Sequence, residues 1–417
     1  MAEASERLLD ARPLTRARAA LAAAFFLFGL DLGLWAVHIP VIAQRLALDP
    51  AILGLALLNV GLGAVISQPI TGAAITRTGS RPAAIVLLLV VLVVFPIPIA
   101  AWSMPALFVA TLALGMAAGA CNVAINTQAS EIEAARRRPT MSFFHGFFSL
   151  GALAGASLGG AVIALGWGNG SGLFGLAVVM LAVGAVAARS FLPSRPRPKP
   201  AASARKERRF ALPPAAVLGL AVLTYFSNTV EGAVNDWSAL YLATVRGLSD
   251  AAAASGFAMF SLAMAVCRLA GGPVVARLGE KAIVTWGGVL MALGMAVVVL
   301  SPAAFFSPFG FALVAIGAAN TIPVMMGAAS RTPGVSPSAA IAAVATAALI
   351  GFLIGPPVIG FIAQAFGLSI ALGLLSLAGV VIALGAAVRR WPARDAGSTG
   401  NPPHAAAGPV AAESDLA

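Results

Sequence analysis

Long apolar stretches run through most of the chain, and each ends at charged residues or at Pro and Gly clusters. A helix of about 20 apolar residues crosses the hydrocarbon layer of a bilayer. The pattern therefore predicts an all-α membrane protein with twelve transmembrane helices, called helices 1 to 12. Their predicted ranges are 19–46, 51–76, 82–101, 105–132, 141–167, 171–192, 214–245, 251–276, 282–301, 304–330, 338–365 and 368–388.

Composition excludes the common soluble classes. Of the 417 residues, 60% are hydrophobic and 10% are charged, and the mean hydropathy is +0.95. Soluble domains carry about 25% charged residues, so an ordinary soluble enzyme or a disordered chain does not fit. The net charge of +11 would favour a nucleic-acid partner in a soluble protein, but the positions of the basic residues explain it better.

Lys and Arg residues fall almost entirely on one side of the predicted membrane. Of the 26, only Arg45 and Arg246 lie in loops of the opposite side, and Arg268 lies inside a helix. Cytoplasmic loops carry the excess of Lys and Arg. We therefore expect a multi-pass protein of the cell (inner) membrane with both termini in the cytoplasm, and no nucleic-acid partner.

A basic, Pro-rich segment without apolar periodicity divides the helices into two groups of six. Such a composition is typical of an extended linker. The predicted organisation is a cytoplasmic tail (1–18), a six-helix bundle (19–192), a cytoplasmic linker (193–213), a second six-helix bundle (214–391) and a disordered cytoplasmic tail (392–417).

The two halves repeat each other at an offset of 200 residues. The matches include both glycines and charges, so chance similarity between Ala/Gly-rich segments does not account for them. Because each half holds an even number of helices, the repeats are parallel, which predicts a binding site between the halves near the middle of the membrane. The matched pairs are Gly72 with Gly272, Arg77 with Arg277, Gly79 with Gly279, Arg81 with Lys281, and Asp31 with Glu231.

The loop from Gly72 to Arg81 resembles the signature loop of the major facilitator superfamily. Segments 122–126, 145–151, 231–242 and 260–269 resemble its MosC-like (rhizopine transport protein-like) branch. The resemblance implies two parallel six-helix bundles that carry out secondary transport. It also implies a gating role for residues of this loop and of its repeat, which are Gly72, Arg77, Gly79, Arg81, Gly272 and Arg277.

Polar residues inside the predicted spans concentrate in helices 1, 4, 7 and 10, while helices 3, 6, 9 and 12 have none that is charged or carries an amide, apart from Arg189 at the cytoplasmic end of helix 6. Polar groups at hydrocarbon depth are costly, so they are expected to face a water-filled cavity. Trp35 and Trp237 are expected to stack on a sugar-like solute there. The predicted cavity residues are Trp35, His38, Asn122, Asn126, Asn228, Asn235, Trp237 and Asn320.

Ionisable residues within the spans are candidates for proton coupling. Arg268 needs a buried carboxylate partner, and Glu231 and Asp236 are the two candidates. Glu231 is expected to bind and release a proton, although a purely structural ion pair is the alternative. Asp31 is its repeat mate, and Asn122 stands where the branch usually has an acid. His145 is expected at the cytoplasmic interface.

These features favour a secondary transporter that moves a small polar solute by alternating access, with proton coupling. A proton-antiport exporter of drug-like or amphiphilic compounds is the alternative. A membrane enzyme is disfavoured because no nucleophile–His–acid set, metal cluster or phosphate-binding loop is visible, and the repeat argues against a channel or receptor. The expected partners are the solute, protons and the lipid bilayer; no metal or cofactor is expected, and the chain is expected to be a monomer.

Overall fold

The computed structural model describes residues 11–136, 140–168, 171–194 and 215–391. Within these ranges the regular structure is helical, and twelve apolar helical segments follow one another. Eleven are long and apolar enough to span a membrane, and the sixth is shorter. They are α1 Ala11–Arg45, α2 Pro50–Thr78, α3 Ser80–Ile99, α4 Met104–Arg136, α5 Met141–Ala164, α6 Ser171–Ala188, α7 Ala215–Thr244, α8 Asp250–Leu269, α9 Glu280–Leu300, α10 Ala304–Ser330, α11 Pro337–Phe366 and α12 Leu368–Val388.

Most bounds lie within a few residues of the prediction, with two differences. The first helix begins at Ala11, inside the predicted N-terminal tail, and the predicted eighth helix bends at Ala270 before a short continuation, Gly271–Leu278. Residues 1–10, nearly all of the predicted linker and the predicted tail 392–417 lie outside the described residues.

Helix packing confirms two six-helix bundles related as a parallel repeat. In the first half α1 packs mainly on α5, and α2 on α4; in the second, α7 packs on α11, and α8 on α10. Small residues let the backbones approach closely. A Cβ atom at Gly151 would overlap the Phe26 carbonyl oxygen, and one at the matching Gly351 would lie 2.5 Å from that of Tyr225.

The repeat extends to the turns that follow α2 and the continuation of α8. Gly79 has φ 86° and ψ 163°, and Gly279 has φ 81° and ψ 159°. Residues with a Cβ rarely adopt positive φ, so glycine permits both turns. The two signature loops therefore share a sequence pattern and a backbone conformation.

The outer helices α3, α6, α9 and α12 present large apolar side chains to the surroundings. Val178 on α6 is 65% exposed and Leu384 on α12 is 62% exposed. Such broad apolar exposure suits contact with lipid chains. Between the halves, α5 packs on α8, α2 on α11 and α1 on α7.

Candidate functional site

An ion pair on the second half lies where the two halves meet. The Arg268 guanidinium of α8 donates from Nη2 to Glu231 Oε1 of α7 at 3.0 Å, and the two side chains are 21% and 17% exposed. Arg268 Nη1 also lies 3.4 Å from Ser149 Oγ of α5. Of the two predicted partners of Arg268, the structure therefore selects Glu231, and a hydroxyl of the opposite half touches the pair.

The polar stripe of α7 holds Glu231 between two amides. Positions 228, 231 and 235 lie on one helix face because they are separated by three and four residues. Asn228 Nδ2 donates to the Ala348 carbonyl of α11 at 2.6 Å. Asn235 lines a small chamber beside the ion pair. The stripe thus faces the space between the halves along about two helical turns.

A break in α10 supplies further polar groups. The helix runs through Ser307–Ala318 and resumes at Thr321–Ser330. Pro323 has no N–H to donate to the Ala319 carbonyl, which interrupts the helical hydrogen bonding. Asn320, in the break, donates from Nδ2 to the Cys267 carbonyl at 3.2 Å, next to Arg268. The break ties α10 to the part of α8 that carries the guanidinium.

An open cavity of about 780 Å³ leads from the ion pair to one end of the molecule. We call this the basic end, because it carries the loops with Arg77, Arg277 and Arg331. Polar lining groups from α5, α7, α8, α9 and α10 converge on the cavity, and its remaining walls are mainly Met, Val, Ile, Gly and Pro. The polar lining residues are Ser142, His145, Asn228, Glu231, Arg268, Glu280, Asn320 and Arg331.

The opposite end is closed by close contacts between the halves. A Cβ atom at Gly360 of α11 would lie 2.5 Å from the Pro50 carbonyl oxygen of α2. The repeat-equivalent contact joins α5 to α8, where a Cβ at Gly160 would lie 3.1 Å from Ala254 Cβ. Gln44 Nε2 donates to Asp250 Oδ1 at 3.1 Å across the same end. The molecule is therefore open only at the basic end among its described parts.

Three predicted residues of α1 lie in the core of the first half and line neither cavity. Asp31 is 4% exposed and its Oδ1 atom has no hydrogen-bond partner among the described residues. Trp35 is 5% exposed, and His38 is fully buried with Nδ1 2.6 Å from the Leu34 carbonyl. The expected stacking surface at Trp35 is absent from the cavity because this face of α1 packs inside its own bundle.

Two predicted residues of α7 are likewise buried away from the cavity. Trp237 is fully buried and its Nε1 has no partner among the described residues. Asp236 is 9% exposed and takes part in no ion pair of the described chain. Both point away from the stripe because adjacent helical positions differ by 100° in direction.

The remaining predicted residues lie outside both cavities, apart from Gly272, which lines the open one. On α4, Asn126 Nδ2 donates to Asn122 Oδ1 at 2.8 Å, and Asn122 is exposed. Arg77 and Arg277 are exposed in their loops, while Arg81 Nη2 donates to the Arg189 carbonyl at 3.0 Å. Gly72 has open space around it.

Sequence reasoning missed several residues of the site. His145 lines the open cavity and was expected at the interface. Ser149 was not singled out, although its place in segment 145–151 was the available signal. Arg331 Nη2 donates to both carboxylate oxygens of Glu280, at 2.7 Å to Oε1 and 2.6 Å to Oε2, and this ion pair joins α9 to the end of α10 at the basic end. Among the described residues, no group of three or more His, Cys, Asp or Glu side chains could hold a metal ion.

Comparison with known proteins agrees with this architecture. The family model described as Major Facilitator Superfamily matches residues 21–333 and 239–414. The chain is 33% identical to an uncharacterized MFS-type transporter of Yersinia pestis, over 87% of this chain and 93% of that protein. It is 30% identical to membrane protein MosC of Rhizobium meliloti, over 87% and 88% of the two chains. A crystal structure of a D-xylose-proton symporter shares the fold with a TM-score of 0.71 at 14% identity, over 89% of this chain and 97% of that one.

Proposed function

Because the chain belongs to the major facilitator superfamily, in its MosC-like branch, we propose that it moves a small polar solute by alternating access and that Glu231 carries a coupling proton. The chain is a secondary transporter and not an enzyme, as its family indicates. The solute and the coupling ion are the parts that we propose.

We further propose that the predicted bundles 19–192 and 214–391 are the two bodies that rock against each other. The loops at the basic end carry most of the Lys and Arg residues, so this end is assigned to the cytoplasm of a cell-membrane carrier. The open cavity then faces inward. A monomer suffices, since the site is built by the two halves of one chain.

The observation that carries the proposal is the Glu231–Arg268 pair in the cavity wall. Breaking an ion pair between a carboxylate and a guanidinium in a partly dehydrated site has a high energetic cost, unless a proton neutralises the carboxylate or a ligand replaces the lost partner. Protonation of Glu231 frees Arg268 to hydrogen-bond the solute. Release of the solute lets the pair form again, which expels the proton.

The cavity lining favours a solute with several hydrogen-bonding groups. Arg268 and the amides of Asn228 and Asn320 offer donors, while Glu231 and the Ala319 carbonyl offer acceptors. No Phe, Tyr or Trp is among the described residues that line this cavity, whereas binding sites for flat amphiphiles commonly use aromatic walls. The lining thus supports the polar-solute hypothesis over the export of amphiphilic drugs.

The test is transport by the purified protein in proteoliposomes that contain a pH-sensitive dye. A panel of radiolabelled sugars, polyols, nucleosides, amino acids and one amphiphilic amine is offered under an imposed pH gradient. We expect one polar class to accumulate together with an internal acidification. Accumulation of the amine alone would support the exporter alternative and reject the polar solute.

Glu231→Gln mimics the protonated carboxyl, so it should retain solute exchange across the membrane but lose accumulation driven by the pH gradient. Asp49→Asn makes the same chemical change at an exposed position outside the cavity and should behave as the wild type. Asp31→Asn tests the repeat mate. Gradient-driven accumulation by Glu231→Gln at the wild-type rate would assign the proton to another residue.

A further inference from the structure

A second, much smaller chamber lies on the other side of the Glu231–Arg268 pair. Its volume is about 30 Å³, and both side chains of the pair line it as well as the open cavity. It is built by both halves: Leu32 and Ser149 come from the first, and Ser261 from the second. The ion pair therefore lies between the large cavity and the small chamber.

The chamber lies on the side of the pair that is further from the basic end. Along α7, Asn235 follows Glu231 by one turn toward the closed end. Along α8, which runs in the opposite direction, Ser261 precedes Arg268 by about two turns. The chamber is thus between the ion pair and the contacts that close the molecule.

Polar groups without protein partners face this chamber. Ser261 is 3% exposed, and among the described residues neither its hydroxyl nor the amide of Asn235 has a protein hydrogen bond. Buried polar groups without a partner are costly unless an ordered water satisfies them. A cavity of about 10–15 Å³ already holds one water, which needs two to four polar partners. The chamber meets both conditions.

We propose that this chamber holds an ordered water, bound by Ser261 and Asn235, that hydrates Glu231 from the side away from the open cavity. The proposal rests on Glu231 as the proton carrier and adds a route: the carboxyl has one aqueous face on each side. A proton reaches it from the closed end, when that end opens, without crossing the solute site.

The charged surroundings of Glu231 are consistent with such a route. The ionisable side chains that share its two cavities are Arg268, His145, Glu280 and Arg331. The helices α11 and α12, which pack against α7, contribute no ionisable side chain, because their described parts contain none. On α1, Asp31 and His38 are buried and line neither space, and Asp236 is the other acid of α7. Among the residues that the structure describes, Arg268 is therefore the one charge that faces the chamber with Glu231.

X-ray radiolytic footprinting of the purified chain tests for the water. Bound water generates hydroxyl radicals that oxidise adjacent side chains, which peptide mass spectrometry detects. Met264 lines the chamber and is 2% exposed, while Met291 and Met295 are fully buried and line neither space. We expect Met264 to oxidise at least fivefold faster than both. Equal rates mean a dry chamber and overturn the proposal.

Variants identify the source of the oxidation. Ser261→Leu fills the chamber and Ser261→Ala removes one partner of the water, so both should lower oxidation of Met264. Ser238→Ala is the matched control, since Ser238 is 1% exposed, has no hydrogen-bond partner among the described residues and lines neither space. Unchanged oxidation in both Ser261 variants rejects the chamber as the source.

Rapid mixing with H₂¹⁸O before the X-ray pulse tests the route. Incorporation of ¹⁸O at Met264 should lag behind that at Met141, which lines the open cavity. Gly360→Leu wedges the closed end and should shorten the lag at least fivefold; Gln44→Ala, at the same end, provides a milder variant. An unchanged lag in both means exchange through the basic end and rejects the second face. The footprinting experiment needs no solute. A negative footprint therefore rejects the water in the chamber without rejecting Glu231 as the proton carrier, which the Glu231→Gln transport experiment tests.

Discussion

Replacing Arg268 with alanine leaves the Glu231 carboxylate, which is 17% exposed, without its counter-charge. Two unit charges about 4 Å apart attract each other by about 4 kcal/mol at an effective dielectric constant of about 20. The side chains are 21% and 17% exposed to the cavity, so water compensates part of this loss. We expect the free energy of unfolding to fall by about 2–4 kcal/mol, near or below the range of about 3–5 kcal/mol for fully buried pairs.

The assay is unfolding in detergent micelles, followed by the intrinsic fluorescence of the six tryptophans. Adding Glu231→Gln to Arg268→Ala removes the uncompensated charge and should recover at least about 1 kcal/mol. Asp236→Asn, on the same helix, is the matched control and should recover nothing. Additive losses in the first double variant, or recovery in the second, would refute the pairing and the reasoning from it.

Three further outcomes follow from the fold and its contacts. A reporter fused to the C-terminus should read as cytoplasmic, and one inserted between α5 and α6 as external; the reverse pattern contradicts the assigned orientation. Gly360→Leu should hold the closed end apart and make a cysteine at Ala254, which is 4% exposed at that end, at least tenfold more reactive with an impermeant thiol reagent in a cysteine-free background, whereas Gly175→Leu, in open space on α6, should not. Arg331→Gln breaks the ion pair with Glu280 that joins α9 to the end of α10 and should lower the free energy of unfolding by about 1–2 kcal/mol, against a negligible change for the exposed Arg390→Gln.

The helices and their repeat were predictable because hydrophobic length and glycine spacing are local properties of the sequence. The need of Arg268 for a carboxylate was predictable too, since a lone guanidinium at that depth is too costly. The choice between Glu231 and Asp236 was not. It depends on how α7 is rotated against α8, and the polar stripe gave only the relative directions of the side chains along one helix.

The aromatic and α1 residues show where sequence reasoning ends. Trp35, His38 and Trp237 were expected in the cavity because polar and aromatic residues within a span usually face water or a ligand, yet the packing buries them in their own bundles. The break in α10 had a visible signal in Pro323, whose missing N–H interrupts a helix. No local signal indicated that Ser261 would face a small chamber, since that space exists only when α5, α7 and α8 are assembled.

Glu231 and Arg268 both belong to the second half, so their bond does not cross the boundary along which the halves move. An empty carrier can therefore change orientation while Glu231 and Arg268 neutralise each other, so the return of the empty carrier is allowed. A carrier with a proton on Glu231 and no solute would have to change orientation while the Arg268 guanidinium is unpaired, at a cost of several kcal/mol. If Glu231 carries the coupling proton, as we propose, this penalty would suppress futile proton leakage, because only the empty and the fully loaded forms would cycle quickly. Tight stoichiometry would then come from the placement of one ion pair within one half of the chain.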